Sequence, residues 1–256
     1  MHTVNLPEHL ILVLAAFCAG AVDAIGGGGG LLIVPALLAV GLPPHLALGT
    51  NKAQSCFGSF AAAIRYARAG LVDRDTARVT FPMAFLGAAI GTSSVLVIRP
   101  DVLRPLVLLL LIAAALLVTI VRPNSRGEPR GKQRRAWLAA GLVALVIGTY
   151  DGFFGPGAGT FYIAGFVVFL RLSMAGASAD AKIANFASNV AAAAIFAERG
   201  VVVWSIALPM AGAQLVGGFL GAHIAVRRGD HLIRAVVLAV VLALVVKIGR
   251  DLYVGR

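Results

Sequence analysis

Two lysines stand inside apolar helical sequence, each at the head of a polar stripe. Lys52, Ser55 and Ser59 are spaced i, i+3, i+7, and Lys182, Asn185 and Asn189 repeat that spacing. Residues so spaced share one helix face. A charged residue within a membrane helix costs roughly 2.5–3.5 kcal/mol on insertion scales and tends to face the protein interior. Two ammonium groups with hydroxyl and amide donors beside them form a site for an anion. The competing reading is that each lysine lies in the first turn of its helix and snorkels to the interface. Asn51 adjoins Lys52 and joins the cluster. Gln214 is a lone amide in an apolar stretch, which either hydrogen-bonds between helices or touches the substrate.

Glycine supplies the second half of the pattern. Gly26, Gly27, Gly28, Gly29 and Gly30 run together, and Gly155, Gly157 and Gly159 form a related break near the middle of the chain. Glycine costs a helix interior about 1 kcal/mol relative to alanine, so such runs end a helix. In lipid a broken helix survives only where the freed N–H and C=O groups find partners or line a cavity. Leu31 and Thr160 then open short helices whose free N–H groups suit an anion. Close helix packing through small residues is the plainer alternative, and the better one for Gly87/Gly91 and Gly217/Gly221. Asp23 and Asp151 precede the breaks, where each can cap the turn, pair with a lysine or carry a coupling proton. Asp180 is expected to N-cap the helix of Lys182.

The elements that must position these residues are membrane helices. Of 256 residues 59% are hydrophobic and 13% charged, with mean hydropathy +0.92. Soluble domains average about 25% charged residues. Apolar runs of bilayer-spanning length recur at 79–98, 103–121, 201–225 and 232–248. The fold class is an all-α polytopic membrane protein. The net charge of +11 is concentrated in short loops, which is the positive-inside pattern and not a nucleic-acid surface. Cys18 and Cys56 read as small buried residues. His45, His223 and His231 lack ligand spacing, so no metal site and no cofactor is expected. No nucleophile–base set supports an enzyme. Without a basic stretch before Leu10, the first apolar segment reads as retained.

The plan occurs twice. At an offset of 130, Lys52 meets Lys182, Gly70 meets Gly200, and Gly87 and Gly91 meet Gly217 and Gly221. The expected organisation is an N-terminal half (1–121), a basic cytoplasmic linker (122–135) and a C-terminal half (136–256). Each half has a Gly-broken helix or re-entrant hairpin, Glu8–Val40 or Trp137–Leu170, then a mixed segment, Asn51–Tyr66 or Lys182–Ala197, and two spans. Lysine and arginine counts fit parallel and inverted halves equally. Short Gly-interrupted segments at matching places favour the inverted plan.

With these motifs on the page, the chain resembles the TauE/SafE family of sulfite-exporter-type permeases. The resemblance rests on the glycine run before Leu31-Leu32-Ile33-Val34-Pro35 and on Gly49-Thr50-Asn51-Lys52. It rests also on Gly155-Pro156-Gly157-Ala158-Gly159 and Ala181-Lys182-Ile183-Ala184-Asn185-Phe186. It covers roughly residues 10–250. It implies a permease for sulfite, sulfonates and related sulfur-containing anions, with cargo varying within the family. Asp180-Ala181 stand where the first half has Thr50-Asn51, so a symmetric role for Asn51 is not implied.

The expected function is a secondary transporter, acting as an exporter, for such an anion in a bacterial inner membrane. A passive anion channel and a non-transporting accessory protein are the alternatives. The expected partners are a small anionic substrate and the lipid bilayer, with no nucleic acid; a homo-oligomer stays open. Six basic residues in 122–135 place that loop in the cytoplasm. A cysteine introduced as Ser125→Cys is therefore expected to resist impermeant maleimide added to intact cells and to react after permeabilisation. Labelling from outside would reverse the topology.

Overall fold

The computed structural model describes residues 5–99, 102, 134–233, 235 and 236. Among them all regular structure is α-helical: α1 (Leu6–Gly26), α2 (Gly30–Ala39), α3 (Pro44–Arg68), α4 (Arg74–Leu96), α5 (Arg134–Phe153), α6 (Ala158–Leu170), α7 (Met174–Glu198) and α8 (Trp204–Arg228). The expected spans 103–121 and most of 232–248, and the loop 122–133, lie outside the described residues.

Local chemistry sets the boundaries. Asn5 and Glu8 form a capping box at the start of α1, where the Asn5 N–H donates to Glu8 Oε2 at 2.9 Å. Asp73 caps α4 by accepting the Thr76 N–H at 2.8 Å. Ser173 caps α7 through the Gly176 N–H at 3.1 Å. Gly27 ends α1 in the left-handed region, at φ +82°, which only glycine adopts without strain.

Two boundaries correct the sequence reading. The mixed segments begin well before Asn51 and Lys182, at Pro44 and Met174. Both lysines therefore lie more than two turns inside their helices, and both are buried. A lysine there cannot snorkel from a first turn. Asp180 lies inside α7, not at its start, and accepts the Asp73 N–H of the α3–α4 turn at 2.9 Å. Cys18 is exposed on α1, contrary to the buried role expected of it.

Helix directions follow from the contacts along each pair. Thr50 Oγ1 accepts the Val203 N–H, and at the far end Arg65 Nε donates to His223 Nδ1, so α3 and α8 run the same way. Phe17 and Ala21 of α1 meet Gly217 and Gly221 of α8 in the same order. Likewise α4 runs with α5, Ala84 against Gly148 and Ala88 against Gly152. It also runs with α7, the Asp73 N–H on Asp180 and Phe81 on Phe186. But α3 and α7 are antiparallel: Tyr66 Oη meets Ser178 Oγ at 3.1 Å, while Lys52 meets Asn189. So α1, α3 and α8 point one way and α4, α5 and α7 the other.

Both breaks are hairpin turns. Gly29 returns against Ala19 and Asp23 of α1. In the second, Tyr150 packs on Phe161 with ring centroids 5.3 Å apart, and Gly165 lies against Val143. Glycines hold the long helices close. A Cβ on Gly91 would sit 2.7 Å from the Phe153 nitrogen, and one on Gly221 would sit 2.7 Å from Ala21 Cα. The outer surface is apolar, with Leu14, Leu86, Ile90, Leu142, Leu208 and Ile224 exposed. α1, α4 and α8 are long and apolar enough to cross a membrane.

This packing is testable in detergent. Gly91→Ala is expected to lower stability by about 1–3 kcal/mol, the usual range for overpacking. Gly212→Ala, whose added methyl meets nothing, is expected to be neutral or to gain up to about 1 kcal/mol from helix propensity. Equal melting temperatures for the two variants would refute close packing at the α4–α5 contact.

Candidate functional site

The polar stripes of α3 and α7 face each other and the two hairpin turns. Lys52 Nζ donates to Asp151 Oδ1 on α5 and to Asn189 Oδ1 on α7, the latter at 3.1 Å. Lys182 Nζ donates to Asp23 Oδ2 on α1 at 2.8 Å. Each lysine is thus neutralised by the aspartate before the other half's glycine break. Buried charges require such partners, because an unpaired ion in a low-dielectric interior is strongly penalised. Pairing, one of the three fates open to Asp23 and Asp151, is the main one observed. Asp23 also caps the turn weakly, its Oδ1 accepting the Gly29 N–H at 3.3 Å.

The two pairs are not equivalent. Asp151 also accepts from Asn185 Nδ2 at 3.1 Å and from Ser188 Oγ, and its side chain is 2% exposed. Among the described residues Asp23 has no side-chain donor besides Lys182, and its side chain is 14% exposed. Ser188 is a site residue that sequence comparison passed over. Its repeat partner is Gly58, so no matched polar pair marked it.

The hairpin tips touch. A Cβ on Gly159 would lie 2.6 Å from Gly27 Cα, and Thr160 Oγ1 donates to the Gly26 carbonyl at 2.7 Å. Gly155, at φ +99°, allows the Lys52 ammonium to approach; a Cβ there would stand 2.8 Å from Nζ.

Between the tips and the stripes lies a small polar cavity. Asn51, Lys52 and Ser55 line it from α3, Asn185 and Asn189 from α7, and Asp23 and Asp151 from the arms of the hairpins. Gly27, Gly30, Gly155 and Gly159 complete it. The space inside is about 20 Å³, room for one ordered water. Of the other sequence-selected residues, Lys182 is buried behind Asp23 and does not line the cavity. Ser59 accepts from Asn189 Nδ2 at 3.4 Å at its edge. Gly26, Gly28, Gly29 and Gly157 shape the turns without lining it. Gln214 lies elsewhere, wedged against Gly20 and Gly58 between α1, α3 and α8. Its Oε1 has no partner, so the expected interhelical hydrogen bond through that oxygen is not formed. The donors assembled here are ammonium, amide and hydroxyl groups, the chemistry that holds an oxyanion. Among the described residues no three His, Cys, Asp or Glu side chains cluster as metal ligands do.

A family model described as "Sulfite exporter TauE/SafE" matches residues 12–248. The chain belongs to the TauE/SafE family. Among relatives, it is 36% identical to "Probable membrane transporter protein ORF9" of Sinorhizobium sp., over 96% of this chain and 95% of that one. It is 36% identical to "Probable membrane transporter protein YfcA" of Escherichia coli K12, over 90% and 85% of the two chains. It is 37% identical to a "Probable membrane transporter protein" of Haemophilus influenzae, over 89% of each. No solved structure matches it. This TauE/SafE chain is a membrane transporter, and a transporter needs no catalytic set.

A double-mutant cycle measures the first pair. Lys52→Met or Asp151→Asn alone is expected to cost about 3–5 kcal/mol, since each strands a buried partner. The double variant is expected to recover most of that loss in a chemical-denaturation or thermal-melt series. Additive losses would mean that the two side chains are not coupled.

Proposed function

We propose that the protein is a secondary transporter for a small sulfur-containing anion, such as sulfite or an organosulfonate, and that it works as an exporter in a bacterial inner membrane. The observation that carries this reading is the exchange of lysine–aspartate pairs between halves at two touching glycine turns. The family description, which names sulfite and export, supports the cargo class and direction.

The halves read as an inverted duplication. α1–α4 and α5–α8 match in order, and each matched pair is opposed: α1 runs opposite to α5, α3 to α7 and α4 to α8. Such halves are related by an axis in the membrane plane, with the substrate site near the midplane between discontinuous helices. The two hairpins are then re-entrant, each turning back inside the bilayer. One end of the bundle carries Arg65, Arg68, Arg74, Arg78, Arg171, Arg227 and Arg228, and α5 begins there with Arg134 and Arg135. The other end carries Arg99 and Arg199 among the described residues. Positive-inside makes the first end cytoplasmic, and with it the linker 122–135.

In this conformation the site is electrically neutral and too small for a sulfonate. An anion enters only as the hairpin tips part and a lysine exchanges its carboxylate for the substrate. Lys52, with Asn51, Ser55, Asn185 and Asn189, then supplies donors to the oxyanion, and the N-termini of α2 and α6 add their N–H groups. Rocking of one half against the other exposes the site to each side in turn. A passive channel would keep a continuous path; the Gly27–Gly159 contact closes it here and favours a transporter.

Flux of sulfite, methanesulfonate and sulfate into liposomes containing the purified protein tests the reading. Lys182→Met is expected to abolish flux while the protein stays folded. Lys182→Arg is expected to recover only part, because guanidinium is larger and planar. For Lys52 the informative comparison is Lys52→Met/Asp151→Asn against Asp151→Asn, which avoids a stranded carboxylate. Unchanged flux and selectivity in both lysine variants would make the lysines structural and defeat the proposal.

A further inference from the structure

The inequality of the two ion pairs points to a division of labour, and we propose that Asp23 is the proton-binding site of the protein while Asp151 is a fixed counter-ion, so that the anion binds together with one proton. This rests on the transport reading for its cargo, but the proton site itself can be read without any cargo.

Asp151 accepts from three donors on two helices: Lys52 from α3, and Asn185 and Ser188 from α7. Hydrogen bonds to a carboxylate favour its charged form. Under the duplication the residues that would do the same for Asp23 are Ser55 and Gly58. Gly58 has no side chain, and Ser55 Oγ lies 3.5 Å from Asn51 Oδ1. Asp23 keeps only Lys182 and the long Gly29 N–H contact. It also lines the cavity, where water can deliver a proton, whereas the Lys182 ammonium is sealed behind it. The charged and titratable groups around Asp23 are Lys182 on α7, Tyr66 on α3, and Lys52 and Asp151 across the cavity. α2 has no titratable side chain, α6 has only Tyr162, and on α8 His223 is turned to Arg65.

Protonation of Asp23 removes one negative charge and leaves Lys182 uncompensated. The site then carries a net positive charge close behind the cavity wall, and an anion in the cavity restores overall neutrality. Binding of proton and anion is therefore mutually favourable, as linkage requires. Anion affinity rises as pH falls, by up to tenfold per pH unit while Asp23 is ionised in the empty protein. A monoanion moving with its proton is electroneutral and follows the pH gradient. A dianion with one proton still carries one negative charge, which an inside-negative potential drives outward.

Infrared titration of the protein in lipid, with methanesulfonate and sulfite as probes, decides it. A protonated-carboxyl band is expected on acidification, to strengthen with either probe, and to vanish in Asp23→Asn. Asn185→Ser/Ser188→Gly, which gives Asp151 the surroundings of Asp23, is expected to gain a second such band, and this arm decides if Asp23→Asn does not fold. The inference is overturned if the band survives Asp23→Asn, if the wild type shows none, or if the double variant gains none. Probe binding without proton uptake also overturns it while leaving transport standing. A titrating Asp23 band with no binding of either probe supports the proton site and removes the transport reading.

Discussion

An ammonium group buried far from either end of a helix dictates most of this structure. Lys52 and Lys182 are held more than two turns inside α3 and α7, where both are buried. Each must find an anion, and neither half has one placed to serve its own lysine. Asp151 serves Lys52, and Asp23 serves Lys182. A half folded alone would strand its lysine, so interlocking is a condition of stability. The antiparallel crossing of α3 and α7 brings each lysine to the other half's turn.

A carboxylate in the middle of the bundle needs an element that ends there, and an ended helix exposes carbonyls. The end of α1 shows how these are satisfied. The Ala24 carbonyl accepts from Tyr66 Oη, Ile25 from Ser178 Oγ, and Gly26 from Thr160 Oγ1. The Gly27 N–H closes onto Asp23 O. Three of these donors come from other elements, two of them in the other half, so the same contacts that quiet the orphan groups also fix the hairpin tip. On the other turn Tyr150 Oη donates to the Pro156 carbonyl at 2.6 Å. Helices carrying such turns must lie close, which is why Gly87, Gly91, Gly148 and Gly152 at α4–α5 and Gly217 and Gly221 at α1–α8 meet backbone and not side chains.

Much of the site was readable because its signals are local. The i, i+3, i+7 stripes, the glycine runs and the aspartates before them need only neighbours in sequence. Helix starts were less legible. Pro43-Pro44 reads as a terminator, yet Pro44 occupies the first helical turn, where its missing N–H costs nothing. Met174–Ala181 carries little apolar pattern; burial of Ala177, Ala179 and Ala181 makes it helix. Pairing across halves spans 99 and 159 residues, beyond any local rule. The relative direction of α3 and α7 was equally hidden, since charge counts fit both arrangements; contacts along the two helices show them antiparallel.

What diverged between the halves is as informative as what was kept. The lysines, the aspartates and the glycine turns recur in the two halves of the sequence. Asn51, Gly58 and Ser188 have no counterpart of their own kind; Asn51 lines the cavity and Ser188 donates to Asp151. In a transporter built from inverted halves, the two access states exchange the conformations of the halves. Identical halves would make those states equal in energy. A single hydrogen bond to a charged group contributes about 1.5–3 kcal/mol, which biases such an equilibrium by roughly ten- to hundredfold. Ser188 on Asp151, with no equivalent at Asp23, is a bond of that kind. Under the proposed inverted-repeat mechanism, the resting conformation is set by the unmatched residues and the path between conformations by the matched ones.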